Sequence, residues 1–328
     1  MNLVTGGAGY IGSNLVAALL AEGEEVCVLE RPGAEVSHLP LDRIEVIRAD
    51  IRDKAAVVKA TRGFRYVYHL AADPNLWRRD VREFDAINHQ GALNVIHAAL
   101  DNGAERVLHI STESILTSPN FNGGSVEQIE LQESDMVGPY CLSKFRADKA
   151  VRQLAATGGP VILVCPTLPI GPGDWSLTPP TRMSLAFCRG EMPAYLNCRL
   201  NLIDVRDVAT GIIAAMRKGK PGLRYLLGGH NCELVDWLTV LGAEVGRNPP
   251  RWRISYPAAL AIAWWSEQWA TQVSGKMPMA TVTGVRLTQR SMFFDASPSL
   301  MELGLVPRPV EQSARDAVGW YRSIGWLC

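Results

Sequence analysis

The segment MNLVTGGAGYIGS (Met1–Ser13) decides how the rest of the chain is read. A short apolar run, Leu3 and Val4, meets Gly6, Gly9 and Gly12, and an apolar pattern of helical spacing then begins at Leu15, Val16, Leu19 and Leu20. Strand, glycine turn and helix follow one another within twenty residues. Glycines let the backbone turn sharply, approach a pyrophosphate and pack the helix onto its strand. The new helix N-terminus offers free N–H groups and the positive end of its dipole to phosphate oxygens. A second strand, Glu25–Leu29, ends at Glu30, where an acid takes the ribose hydroxyls of an adenosine.

Working outward, strands and helices alternate. Ile44–Asp50 reads as a third strand, Asp53–Thr61 as a helix, Tyr66–Ala72 as a fourth strand and Val81–Leu100 as a long helix. Arg106–Thr112, Tyr140–Ala155 and Pro160–Pro166 continue as strand, helix and strand. This order predicts an α/β fold, a doubly wound parallel sheet of the Rossmann type covered on both faces. Residues 1–166 form the dinucleotide-binding domain, and 200–216 return to it as a strand and helix. Residues 167–199 and 217–328 form a smaller substrate-binding domain. Its first part, Thr167–Arg182, is rich in Pro and Gly and reads as a shaped loop over the strand ends; its last part reads as irregular, apart from a tryptophan-rich helix from Pro257 to about Val273.

Composition narrows the function. With 47% hydrophobic residues the chain can build a large core, and its 33 basic and 33 acidic residues give no field that would gather nucleic acid. Seven cysteines form no C-x-x-C pair, and the six histidines stand singly, so no metal site is expected. The odd cysteine count and the absence of a signal peptide point to reduced thiols in the cytoplasm.

Tyr140 and Lys144 are four residues apart at the start of a predicted helix, hence on one face. A phenol is a poor base at its reference pKa of about 10. A neighbouring ammonium or an oxidised nicotinamide lowers that value, and the phenol can then exchange a proton with a substrate hydroxyl. Thr112 ends the fifth strand and points a hydroxyl toward the same crevice, where it can hold the substrate oxygen. These three are the candidate catalytic residues.

TGGAGYIG (Thr5–Gly12), HLAA (His69–Ala72), ISTES (Ile110–Ser114), YCLSK (Tyr140–Lys144) and the P-T-x-x-I-G-P-G-D loop (Pro166–Asp174) together resemble the extended short-chain dehydrogenase/reductase superfamily, from the N-terminus to about Ala215. The resemblance implies a threonine–tyrosine–lysine triad at Thr112, Tyr140 and Lys144. It also implies a cofactor groove formed by Gly6, Gly9, Tyr10, Ile11, Gly12, Glu30, Arg31, Asp50, Ile51, Leu70, Ala71, Ala72, Asn88 and Pro166, together with Tyr140 and Lys144. Many relatives pair through two helices into a homodimer. Glu30 favours NAD because a carboxylate repels a 2′-phosphate, whereas Arg31 beside it leaves NADP as the alternative. Thr112-Glu113 resembles nucleotide-sugar dehydratases, but these need a second acid where this chain has Ser114.

Two subgroups compete for the substrate. AADPNLW (Ala71–Trp77), GEMPAY (Gly190–Tyr195) and MFFDASPSLMELGL (Met292–Leu305) resemble hopanoid-associated epimerase-like proteins, and the last also resembles 3β-hydroxysteroid dehydrogenases and decarboxylating sterol-4-carboxylate 3-dehydrogenases. A nucleotide sugar needs arginines for its pyrophosphate. The position before the strand at 200 is occupied by Leu200 with Arg199 one residue away, no R-P-G-D segment occurs, and Arg286 and Arg290 are the substitutes available. PAALAIAWW (Pro257–Trp265) with Trp269 offers an apolar surface suited to a hydrocarbon ligand, the domain core or a membrane face. The expected activity is oxidation of a secondary alcohol on an apolar polycyclic substrate, contacted by Glu113, Trp77, Trp175 and Trp265, with a nucleotide-sugar epimerase retaining NAD as the alternative.

Overall fold

The computed structural model describes residues 1–121, 123–124 and 129–327. Its strands are β1 Asn2–Thr5, β2 Val26–Glu30, β3 Glu45–Arg48, β4 Tyr66–His69, β5 Arg106–Ile110, β6 Val161–Pro166, β7 Leu168–Ile170, β8 Ala194–Tyr195, β9 Arg199–Asp204, β10 Arg224–Leu227, β11 His230–Glu233 and β12 Trp252–Arg253. Seven of them form one parallel sheet in the order β10-β6-β5-β4-β1-β2-β3. The order reverses at β1, so β1 and β4 flank the switch point where ligands bind in such sheets.

Buried on both faces, the central strands are continuous apolar runs. Leu3 faces one layer and Val4 the other, following the two-residue alternation of a strand. On the first face lie α1 Tyr10–Ala21 and α7 Val205–Lys218, through Leu15, Leu19, Val208 and Ile212. The second face carries α2 Lys54–Ala60, α4 Ala92–Asp101 and α5 Gly138–Ala156, through Val57, Ile96 and Val151. Helix α3, Arg82–Phe84, runs into α4 through a π-helical turn at Asp85–Gly91, so the helix read from Val81 to Leu100 is present but carries a wider turn.

The second half departs from the sequence reading in four ways. β9 does not return to the main sheet; it lies between β11 and β7 in a three-stranded sheet, and only α7 goes back to pack on α1. The seventh strand of the main sheet is β10, from the stretch assigned to substrate binding. Thr167–Arg182 is not all loop: it contains β7 and the start of α6 Pro179–Arg189, whose two prolines occupy the first helical positions, where no N–H is missed. The region beyond 217 is largely helical, with α8 Leu234–Val245, α9 Tyr256–Trp269, α10 Val282–Leu287, α11 Ser297–Leu303 and α12 Val310–Ser323. Packing of α6, α8 and α12 on the small sheet centres on Trp237 and Phe187. α9 and α10 share a much smaller core around Ala259, Ala263 and Val285.

Candidate active site

The glycine turn is built by exclusion. Gly6 has φ +71°, and a Cβ there would come within 2.7 Å of the Ala71 nitrogen. A Cβ on Gly12 would run into the Gly6 carbonyl oxygen. The turn therefore lies directly against the backbone that follows β4, which Thr5 pins by accepting from Leu70 and Ala71 through its carbonyl and hydroxyl oxygens, at 3.1 and 3.2 Å. α1 starts at once, and no side chain caps it, leaving its first-turn N–H groups to an anion. Glu30 is buried at the end of β2, where its carboxylate accepts from the Ala8 N–H at 2.8 Å; burial raises its pKa against the pull of the backbone donors. This cradle fits the pyrophosphate and ribose of a dinucleotide.

The other expected groove residues divide. Ile11 and Ile51 pack into the two sheet faces, and Pro166 closes β6 beside Leu227. The Tyr10 side chain turns away, donating to the Gly171 carbonyl at 2.9 Å, so only its backbone faces the groove. Asp50 is held by Arg52 at 2.6 Å and Arg31 is exposed. Asn88 is buried and fully engaged: it accepts from the Asp73 N–H at 2.7 Å and donates to the Asp73 carbonyl and the Ser143 hydroxyl. It therefore clamps the loop after Ala72 rather than offering its amide to a ligand. The same loop is tied by Arg78, which bridges Asp73 and Glu83.

The catalytic candidates meet at the carboxyl end of β5. Thr112 caps a short 3-10 turn, Glu113–Ile115, accepting from the Ser114 N–H. Its hydroxyl donates to Glu113 at 2.9 Å, lies 3.1 Å from the Ser114 hydroxyl, and hydrogen-bonds Tyr140. Tyr140 sits edge-on to Phe84 on the first turn of α5, which Pro139 opens. Burial pushes the phenol well above its ordinary pKa; Cys141 and Glu113 add to that, and the Thr112 hydrogen bond opposes it. Lys144, 3% exposed, donates to the Ile110 carbonyl at 2.6 Å. Burial lowers its pKa to about 8. Glu113 is raised by burial to about 7, against the hydrogen bond from Thr112.

Thr112, Tyr140 and Glu113 are thus together, with Lys144 one turn along α5. Trp175 is elsewhere: it stacks on His38 at 5.5 Å and against Trp320 at 5.2 Å, and His38 binds the Ala8 carbonyl in the glycine turn. Trp265 is 68% exposed on the outer side of α9 and does not face Tyr140; Trp77 is half-buried in the loop held by Asn88. The sequence reading missed Ser114 as part of the hydroxyl cluster and Cys141, whose Sγ lies 3.6 Å from it; only their spacing from Thr112 and Tyr140 hints at either. Arg290 donates through Nη2 to the Asp135 carbonyl, while Nη1 is buried without a partner among the described residues; this guanidinium also acts on Cys141. Cys328 lies outside the described residues.

The sequence profile of the NAD dependent epimerase/dehydratase family matches residues 2–228. The chain belongs to that family. Family membership extends over relatives of differing chemistry. The chain is 32% identical over 328 residues, 99% of its length and 95% of the relative's, to a putative dihydroflavonol 4-reductase of Synechocystis. It is 30% identical over 331 residues, 99% of both chains, to sterol demethylase protein B of Methylococcus capsulatus. A dTDP-glucose 4,6-dehydratase of Streptomyces venezuelae, a double mutant solved with NAD bound, superposes with a TM-score of 0.78 at 25% identity, covering 100% and 98% of the two chains. This epimerase/dehydratase-type chain is an NAD-dependent oxidoreductase of the extended short-chain dehydrogenase type.

Proposed function

We propose that the protein oxidises a 3β-hydroxyl group on a sterol or similar polycyclic lipid, with a neighbouring carboxylate lost as carbon dioxide where the substrate carries one. The observation that carries this reading is the surroundings of Tyr140. The ring belongs to an apolar cluster with Ile115, Leu116, Phe145, Phe294, Leu287 and Met292. These side chains form a packed apolar wall behind the ring, and such a wall suits a hydrocarbon skeleton better than a polyol. Full-length similarity to a protein named as a sterol demethylase component supports the same choice.

Tyr140 takes the hydroxyl proton while Thr112 holds the oxygen, which fixes the carbon–hydrogen bond in one direction. The glycine turn, α1 and Glu30 would hold NAD, which would supply the hydride acceptor. Lys144, one turn along α5 and donating to the Ile110 carbonyl, would hold the nicotinamide ribose; the raised pKa of Tyr140 is set by burial and not lowered by this ammonium. Oxidation beside a carboxylate gives a β-keto acid; the bond to the carboxyl carbon breaks, carbon dioxide leaves, and the electron pair remains as an enolate that the reprotonated Tyr140 can hydrogen-bond, joined by Thr112 once Glu113 is protonated. The enolate carbon then takes a proton.

The test incubates the purified protein and NAD with a 3β-hydroxysterol, its 4-carboxy derivative and a nucleotide sugar. Net NADH formation with the sterols, with carbon dioxide released from the carboxylated one, is the expected result. Conversion of the nucleotide sugar without net NADH, and none with either sterol, overturns the reading.

A further inference from the structure

The outer side of α9 presents Ile262, Trp264, Trp265 and Trp269 to solvent, and the π-helical turn that continues it, Ala270–Ser274, adds Val273, with Met279 beside them. Trp265 and Trp269 are 68% and 63% exposed, and they help line a shallow apolar groove of about 620 Å³. Contiguous apolar surface of this kind marks an interaction site. Its charge pattern narrows the partner. Between residues 254 and 275 the sequence holds one charged side chain, Glu267, and it is turned inward, accepting from the Val282 N–H at 2.8 Å. Exposed basic residues stand at both ends: Arg251 and Arg253 before α9, around the 76% exposed Trp252, and Lys276 after it.

We propose that this face of α9 lies on the surface of an anionic lipid bilayer. Indole rings, apolar in body with one N–H, favour the boundary between headgroups and acyl chains. The flanking cations meet lipid phosphates while the uncharged centre enters the apolar layer. Among the described residues no helix is long and apolar enough to cross a membrane, so the contact is with one leaflet. A second copy of the chain is a poorer occupant: in a two-fold contact the basic rim would meet itself. The proposal stands on this surface and not on the sterol reading, so failure of sterol turnover leaves it intact.

The test measures co-sedimentation of the full chain with vesicles of phosphatidylcholine, with and without phosphatidylglycerol. Expected are binding to the anionic vesicles with a blue shift of tryptophan emission, weaker binding as salt rises, and a loss of about tenfold or more in partitioning for Trp265→Ser/Trp269→Ser and for Arg251→Glu/Lys276→Glu. The charge-reversal pair alters exposed side chains only, so it serves if the tryptophan pair misfolds. No binding by the parent protein, binding that both variants retain, or concentration-dependent dimerisation abolished by the tryptophan pair overturns the proposal.

Discussion

Thr112 has one hydroxyl hydrogen, and Glu113 takes it. While Glu113 is ionised, Thr112 can only accept from a substrate hydroxyl; once Glu113 is protonated, the threonine hydrogen is free to be donated to a carbonyl. Because burial places that carboxyl near 7, the switch falls in the working range. We expect the pH profile of kcat/KM to show an inflection near 7 that Glu113→Gln removes; an unchanged inflection would assign it to another group. Tyr140→Phe should lower kcat by about 10²–10⁴-fold with the melting temperature preserved, as checked by initial rates and thermal unfolding. Lys144 makes a prediction of opposite character. Its folded pKa, about 8, lies below the usual 10.5, so between these values the unfolded chain binds more protons and stability rises with pH. Lys144→Met should abolish that rise in the cofactor-free protein and add about 3 kcal/mol at neutral pH, while losing activity. Unfolding titrations across pH 8–10.5 decide it.

At the scale of elements, the catalytic helix α5 is anchored by charge. Asp148 receives a bidentate contact from Arg224 of β10, Nε on Oδ1 at 3.2 Å and Nη2 on Oδ2 at 2.6 Å, and accepts from the Ser111 hydroxyl; Arg224 also donates to the Ile129 carbonyl. Both charges are buried, and removing one strands the other. Asp148→Ala should cost about 3–5 kcal/mol in denaturant unfolding, partly recovered by pairing it with Arg224→Met. Little of this was legible in advance, because the partners lie 76 residues apart and neither belongs to a local pattern. The glycine turn and the Tyr140–Lys144 helix were legible because their chemistry is set within a few residues. The π turn was not: Asp85–Gly91 keeps helical composition, and its wider winding serves a distant need, bringing Asn88 to Asp73 and Ser143. In the C-terminal region, stop signals such as Gly246 and Gly304 with positive φ lay unread among weakly amphipathic segments.

For the whole molecule, the sheet order and the crevice at its switch point follow from alternating strand and helix. The placement of the tryptophans does not, since an apolar face reads the same whether turned inward or outward. α9 and α10 rest on three buried apolar side chains, Ala259, Ala263 and Val285, whereas α1 and α7 pack into the main core. Amide exchange should therefore be much faster in α9 and α10 than in α1 and α7, measured by mass spectrometry. Gly138, with φ +76°, gives α10 its footing, for a Cβ there would crowd the methyl of Thr283 at 2.9 Å. The nucleotide-binding half is not a detachable module: a fragment ending at 216 would strip β6 of its outer neighbour β10 and leave Asp148 without its counter-charge. Efforts to graft this half onto another substrate-recognition unit must therefore carry 224–227 along, as a second graft rather than a longer first one.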